Sequence, residues 1–161
     1  MDTIEFTAVE VEDEEAGSTV AIYINGRNLL ETVRDVEMPF AVKEGHSTMA
    51  VQYAELSLAD IPDLWSHFHG DTLPYFSEEG KVYLYGCVCG EPGCWPLQAY
   101  IGIGRNTVTW RGFEQPHRME YSRASHWRYD ELGPFVFDKN QYEEALKNLP
   151  QRKSPSQETT R

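Results

Sequence analysis

Cys87, Cys89 and Cys94 fall within eight residues, in Cys87-Val88-Cys89-Gly90-Glu91-Pro92-Gly93-Cys94, and Trp95-Pro96 follows them. They are the only cysteines of the chain. Thiolates are soft ligands, and a short glycine-bearing loop that gathers three of them can form one side of a tetrahedral zinc site. The fourth ligand must come from elsewhere: His117 or His126 after the loop, Glu91 within it, or a water. Closed by His117, such a site is structural. Left open to water it is catalytic, a hydrolase centre with His117 or Glu114 as proton carrier. A third reading makes the loop a tight turn whose cysteines are small apolar fillers and bind nothing. Cys-x-Cys-x4-Cys is less specific than paired Cys-x2-Cys motifs, so all three readings stand at this point.

Other residues that could do chemistry are less telling. His67-Phe68-His69 lies at the end of an expected helix, where positions i and i+2 diverge and cannot share a metal. Surface histidines favoured by the helix dipole are the expectation there. Gly102-Ile103-Gly104 lacks a third glycine, and Asp60, Asp63 and Asp71 are too loosely spaced for a calcium loop. The sequence contains no Gly-x-Ser-x-Gly elbow, no His-Glu-x-x-His and no phosphate loop.

Charge bounds the partners. The chain of 161 residues carries a formal net charge of −12. Residues 1–15 hold seven acids and no Lys or Arg, and residues 44–80 hold seven more acids, again with no base. Such a balance repels nucleic acid, whose binding rests on phosphate neutralisation, and it favours solubility or a basic protein partner. Glu12, Asp13, Glu14 and Glu15 are the expected partner-binding acids, able to steer toward the basic cleft of a toxin or nuclease. Residues 105–128 run the other way. There Arg105, Arg111, Arg118, Arg123 and Arg128 face only Glu114 and Glu120, interleaved with Trp110, Phe113, Tyr121 and Trp127. In so acidic a chain, intramolecular ion pairs are the favoured fate of these arginines, ahead of a protein-binding face or stacking on nucleic acid.

The elements that must position these residues are mostly strands. Ile4, Phe6 and Ala8 alternate and then slip phase at Val9, which predicts a strand with a bulge at Ala8-Val9. Val20, Ile22 and Ile24 alternate up to Asn25-Gly26, a type I′ hairpin signal, and Leu29 to Met38 reads as the returning strand. Ile61, Leu64, Trp65 and Phe68 predict a short helix within residues 57–70, capped by Asp60 and ended by Gly70. Lys81 to Cys87 is apolar on both faces and reads as a central strand. Leu97 to Ile103 and Thr107 to Phe113 form a hairpin, so the cysteine loop joins two strands. Short strands follow at His126 to Tyr129 and Phe135 to Phe137. A closing helix from Lys139 to Leu149 is capped by Asp138, with Gln141 placed as in a capping box, and Pro150 stops it.

These elements predict an α+β fold: two antiparallel meanders of about six to eight strands, with two short helices packed on the sheet. One domain over residues 1–149 is expected, followed by a disordered polar tail over 150–161. No apolar run is long enough for a membrane helix, and the acidic start is unlike a signal peptide, so a cytoplasmic protein with reduced thiols is expected.

The stretch from Tyr85 to Leu97, then Trp110-x-x-Phe113-x-Gln115-Pro116, then Trp127-x-Tyr129-x-x-Leu132-Gly133-Pro134-Phe135-x-Phe137-Asp138, resembles a family of small uncharacterised bacterial proteins. The Ile24-Asn25-Gly26-Arg27-Asn28-Leu29 hairpin is similar too. The resemblance implies a bacterial cytoplasmic origin and a single α+β domain, and it carries over no catalytic residue. Taken together, the sequence points to a non-enzymatic protein-interaction module of the immunity or inhibitor kind. Its cysteine loop would be structural or zinc-binding, and the alternative is a metal-dependent hydrolase using the three-cysteine site.

Overall fold

The computed structural model describes residues 1–10, 17–120, 122 and 125–150. The acidic run Glu12, Asp13, Glu14 and Glu15 and the tail from 151 onward lie outside the described residues. Among those described, nine strands in antiparallel sheets and three helices give the α+β class expected.

The first sheet comprises β1 (Ile4–Glu10), β2 (Ser18–Ile24) and β3 (Arg27–Asn28), in that order. Asn25 and Gly26 both take positive φ, 54° and 79°, as a type I′ turn requires. The bulge expected at Ala8-Val9 is absent. β1 pairs with β2 without a slip from Ile4↔Ile24 to Glu10↔Ser18, and Val9 simply faces solvent.

The returning strand expected over Leu29 to Met38 is also wrong: it ends at Asn28, and the chain enters helix α1 (Leu29–Lys43). Two local causes favour the helix. The Asn28 side chain accepts the Leu30 N–H at 3.0 Å, an N-cap bond. Leu29, Val33, Glu37 and Ala41 recur every four residues and make one buried stripe.

The second sheet runs β4 (Tyr53–Glu55), β6 (Lys81–Cys87), β7 (Leu97–Ile103), β8 (Thr107–Glu114) and β9 (Phe135–Asp138), with β5 (Ser77–Glu78) on the other half of the β6 edge. All seven residues of β6 are buried, as its two apolar faces require. Between Gln98↔Glu114 and Tyr100↔Arg111 strand β8 carries one extra residue, a bulge where Gly112 takes φ +65°. The stretch 126–129 is irregular and not a strand.

The expected helix within 57–70 shrinks to α2 (Leu64–His67), and its cap is Asp63, which accepts the Ser66 N–H at 3.0 Å, not Asp60. Pro62 accounts for the late start, since a proline disfavours helical geometry in the residue before it. Ile61, Leu64 and Phe68 are buried all the same. The closing helix, α3 (Lys139–Lys147), is capped by Asp138, which accepts the Gln141 N–H at 3.0 Å. The reciprocal half of the capping box is missing. The Gln141 carboxamide instead donates to Ile4 O at 2.7 Å and accepts from Ile4 N at 3.1 Å.

The core is aromatic. Trp110 on β8 stacks on Phe68 at 6.2 Å and meets Phe6, Phe137 and Tyr142, and its indole N–H donates to the Tyr142 hydroxyl at 3.1 Å. That hydroxyl in turn donates to Phe68 O. One buried cluster thereby ties α3, α2, β1 and β8 together. No helix among the described residues is long and apolar enough to cross a membrane.

Candidate metal centre

Strand β6 delivers Cys87 to the start of the loop, where β4 holds it through the pairing Tyr53↔Cys87. The chain then reverses tightly. Gly90, at φ +98°, donates its N–H to Cys87 O at 3.1 Å, and a 3-10 turn over Pro92–Cys94 brings Cys94 back, its N–H on Glu91 O at 3.0 Å. Gly86 lets the returning chain approach closely, because a Cβ there would lie 3.2 Å from Pro92 Cα.

The result gathers all three sulfur atoms within 4.8 Å of one another. Four ligands at about 2.3 Å around a tetrahedral zinc lie about 3.8 Å apart, so small side-chain rotations suffice to close the set. Cys87 is buried, while Cys89 and Cys94 are exposed. Backbone donors already point at sulfur: the Cys89 N–H lies 3.5 Å from Cys87 Sγ, and the Glu91 N–H lies 3.5 Å from Cys89 Sγ.

Those contacts order the protons. The Glu91 N–H, followed by the neighbouring thiols, lowers the Cys89 pKa, making it the readier thiolate. Cys94 moves the opposite way, to about 11, chiefly because it shares a proton with Cys89. Binding a metal must expel protons from this set, so affinity rises with pH.

The other expected ligands are placed as follows. His117 stands beside the loop with Nε2 3.4 Å from Gly93 O and its ring stacked on Trp95 at 5.7 Å. It does not join the three thiols within their 4.8 Å. Glu91 is engaged by the Tyr75 hydroxyl at 2.7 Å. Glu114 pairs with Lys81 at 2.9 Å and accepts from Gln98 at 2.7 Å. His126 is exposed and lines a separate cleft.

Behind the loop, Arg118 lies over the rings of Trp95 and Trp127 at 4.9 and 5.6 Å and pairs with Glu44 at the end of α1 at 3.2 Å. Arg128 pairs with Asp130 at 2.8 Å, so two of the five arginines find the internal acids expected of them. Arg123 lies outside the described residues.

Sequence reasoning missed two buried polar centres. Glu37, fully buried on α1, accepts from the hydroxyls of Tyr53 and Tyr129 and from the Val51 N–H at 2.9 Å. Burial raises its pKa, and the hydrogen bonds offset part of that rise. Val51 takes φ +58°, a strained conformation for a β-branched residue, to aim its N–H at this carboxylate. The visible signal was Glu37 falling in step with Leu29, Val33 and Ala41.

His67 is the second centre, and the surface role expected for it is wrong: it is fully buried. Its Nε2–H donates to Tyr83 O at 2.8 Å, which leaves Nδ1 to accept from the Thr72 hydroxyl. The bond accepted by Nδ1 needs the neutral ring, and burial, outweighing the Tyr83 carbonyl that favours the charged form, lowers the pKa from 6.5 to about 4. The folded state then binds fewer protons than the unfolded chain between these values. Stability from His67 is complete above about pH 6.5 and is lost as pH falls toward about 4. The full loss is about 3 kcal/mol. Urea titrations across this range should show the loss in the wild type and a flatter profile in His67→Gln; identical slopes would refute it. His69, by contrast, pairs with Glu143 at 2.8 Å and contacts Trp65 O at 2.6 Å.

In comparisons with known proteins, no family model, no curated protein and no solved structure matches the chain.

Proposed function

We propose that the three cysteines hold a zinc ion as a structural clip for the β6–β7 connection. On this reading the protein is a bacterial, cytoplasmic, non-enzymatic interaction module of the immunity or inhibitor kind. Its net charge of −12, concentrated in runs such as Glu12 to Glu15, steers it to a basic partner such as a toxin or nuclease. The convergence of the three sulfur atoms within 4.8 Å carries the metal reading. Zinc suits this set because it accepts thiolates in a tetrahedron and needs no redox chemistry. His117, whose Nε2 lies 3.4 Å from Gly93 O beside the loop, is the proposed fourth ligand and would turn toward the thiols to join them.

Metal analysis of protein purified under reducing conditions is expected to give about one equivalent of zinc, and Cys94→Ser is expected to lose most of it. Less than about a tenth of an equivalent in the wild type overturns the metal reading. A pull-down from the native host tests the partner: a basic protein should be captured, whereas acidic partners alone, or none, would refute the interaction module.

The exposure of Cys89 and Cys94 favours one second reading, a metal-dependent hydrolase in which the fourth position holds water and His117 moves its proton. Ester or phosphodiester hydrolysis by the zinc-loaded protein, lost in Cys89→Ser, would select it.

A further inference from the structure

A cleft of about 420 Å³ opens on β8, and none of the three cysteines lines it. The edges of Phe113, Trp127 and Tyr129, each at most 8% exposed, show in its walls, and Lys81, Arg111 and Arg128 line it together with the carboxylates of Glu114 and Asp130. Lys81 is the unusual member, a charged residue only 8% exposed on the otherwise apolar β6. It is paired with Glu114 at 2.9 Å, and Arg128 is paired with Asp130 at 2.8 Å. Arg111 has no carboxylate partner among the described residues; its guanidinium lies over the Tyr100 ring at 4.9 Å. The lining therefore keeps one unbalanced cation within a strongly acidic chain.

The backbone is shaped around this arrangement. The β8 bulge sits at Gly112, between Arg111 and the wall residue Phe113. A Cβ on Gly112 would lie 3.0 Å from the Tyr100 ring and 3.6 Å from Lys81 Nζ, so only glycine leaves both cationic side chains their shared ring. Bulges of this kind re-aim side chains beside binding sites. A neighbouring hollow of about 450 Å³ has the opposite balance, with Asp35, Asp130 and Glu131 against Arg128 alone.

From this geometry we infer that the cleft is a binding site for a small aromatic anion, a planar ring bearing a carboxylate or a phosphate. The ring packs against the aromatic walls, and the anion pairs with Arg111, a guanidinium suited to two-pronged contact with either group. Aromatic walls with a few convergent polar groups are the usual makeup of small-molecule sites, and the volume lies at their lower end.

Calorimetric titration of the full chain tests this with four probes: AMP and 4-hydroxybenzoate as ring-bearing anions, adenosine as ring alone, and inorganic phosphate as charge alone. AMP or 4-hydroxybenzoate is expected to saturate at one per chain, and which of them binds tells phosphate from carboxylate. Adenosine and phosphate should each bind about tenfold more weakly or worse. Arg111→Gln should weaken binding by about tenfold or more, while the turn variant Arg105→Gln leaves it unchanged. Arg111 is exposed, so its variant should keep the wild-type circular dichroism. No saturable binding of either ring-bearing anion, equal binding of phosphate alone, or wild-type affinity in Arg111→Gln overturns the site. Because Cys94→Ser carries the metal question separately, failure here and failure of the zinc clip are distinguishable.

Discussion

Trp110→Ala is expected to destabilise the fold by about 4 kcal/mol, the upper range for a single core truncation. The side chain is fully buried and contacts Phe6, Phe68, Phe137 and Tyr142. Removing it opens a cavity at the meeting point of two helices and two strands. It also takes away the indole N–H that the Tyr142 hydroxyl accepts at 3.1 Å. In a chain of this size the loss should lower the melting temperature by roughly 8–16 °C. Trp110→Phe, which keeps a ring but not the donor, should lose about half as much. Urea unfolding followed by fluorescence measures both. A Trp110→Ala protein within about 1 kcal/mol of wild type would mean that these rings do not pack as described.

The second large effect concerns Glu37. Glu37→Ala leaves two buried tyrosine hydroxyls and the half-buried Val51 N–H without their shared acceptor. Each orphaned group costs about 1–3 kcal/mol, and release from burying a carboxylate offsets part of it, so a net loss of about 3 kcal/mol is expected. Glu37→Gln keeps an oxygen acceptor and should lose about 1 kcal/mol. The two variants also separate the titrations. Burial raises the Glu37 pKa above its ordinary 4.5, so its contribution weakens as pH climbs from 4.5 through the folded value. His67 acts in the opposite sense, strengthening the fold as pH climbs from about 4 to 6.5. Glu37→Gln should therefore show a steeper acid loss than wild type, and an unchanged profile would remove Glu37 from the balance.

Much of the β architecture was legible because it is coded locally. Asn25-Gly26 announces its turn through the positive φ both residues adopt, and the two-faced apolar run from Val82 to Cys87 announces a central strand. Asp138 reads as a cap because the bond to the Gln141 N–H depends only on residues three apart. The proximity of the three thiols was legible for the same reason. What failed was non-local. Leu29 to Met38 suits either a strand or a helix, and tertiary burial of the stripe decides for the helix that the local Asn28 cap only starts. Glu37 could not be identified as a core residue without Tyr53 and Tyr129, which reach it from 16 and 92 residues away. The cleft was hidden likewise, since Lys81, Arg111 and Arg128 meet only once β6, β8 and the segment after it are laid side by side. His117 was singled out by sequence, but its place against Gly93 depends on the path of the chain after β8.

The pair of hydrogen bonds between the Gln141 carboxamide and both backbone groups of Ile4 has a consequence for self-association. β1 is the border strand of its sheet, and a bare border offers a template on which a second chain can polymerise. At Ile4 that template is occupied by an amide from the protein's own helix, which imitates one residue of a neighbouring strand. At that one residue of the margin a neutral side chain takes the place that a second chain would need, where many sheets rely on a lysine or a proline.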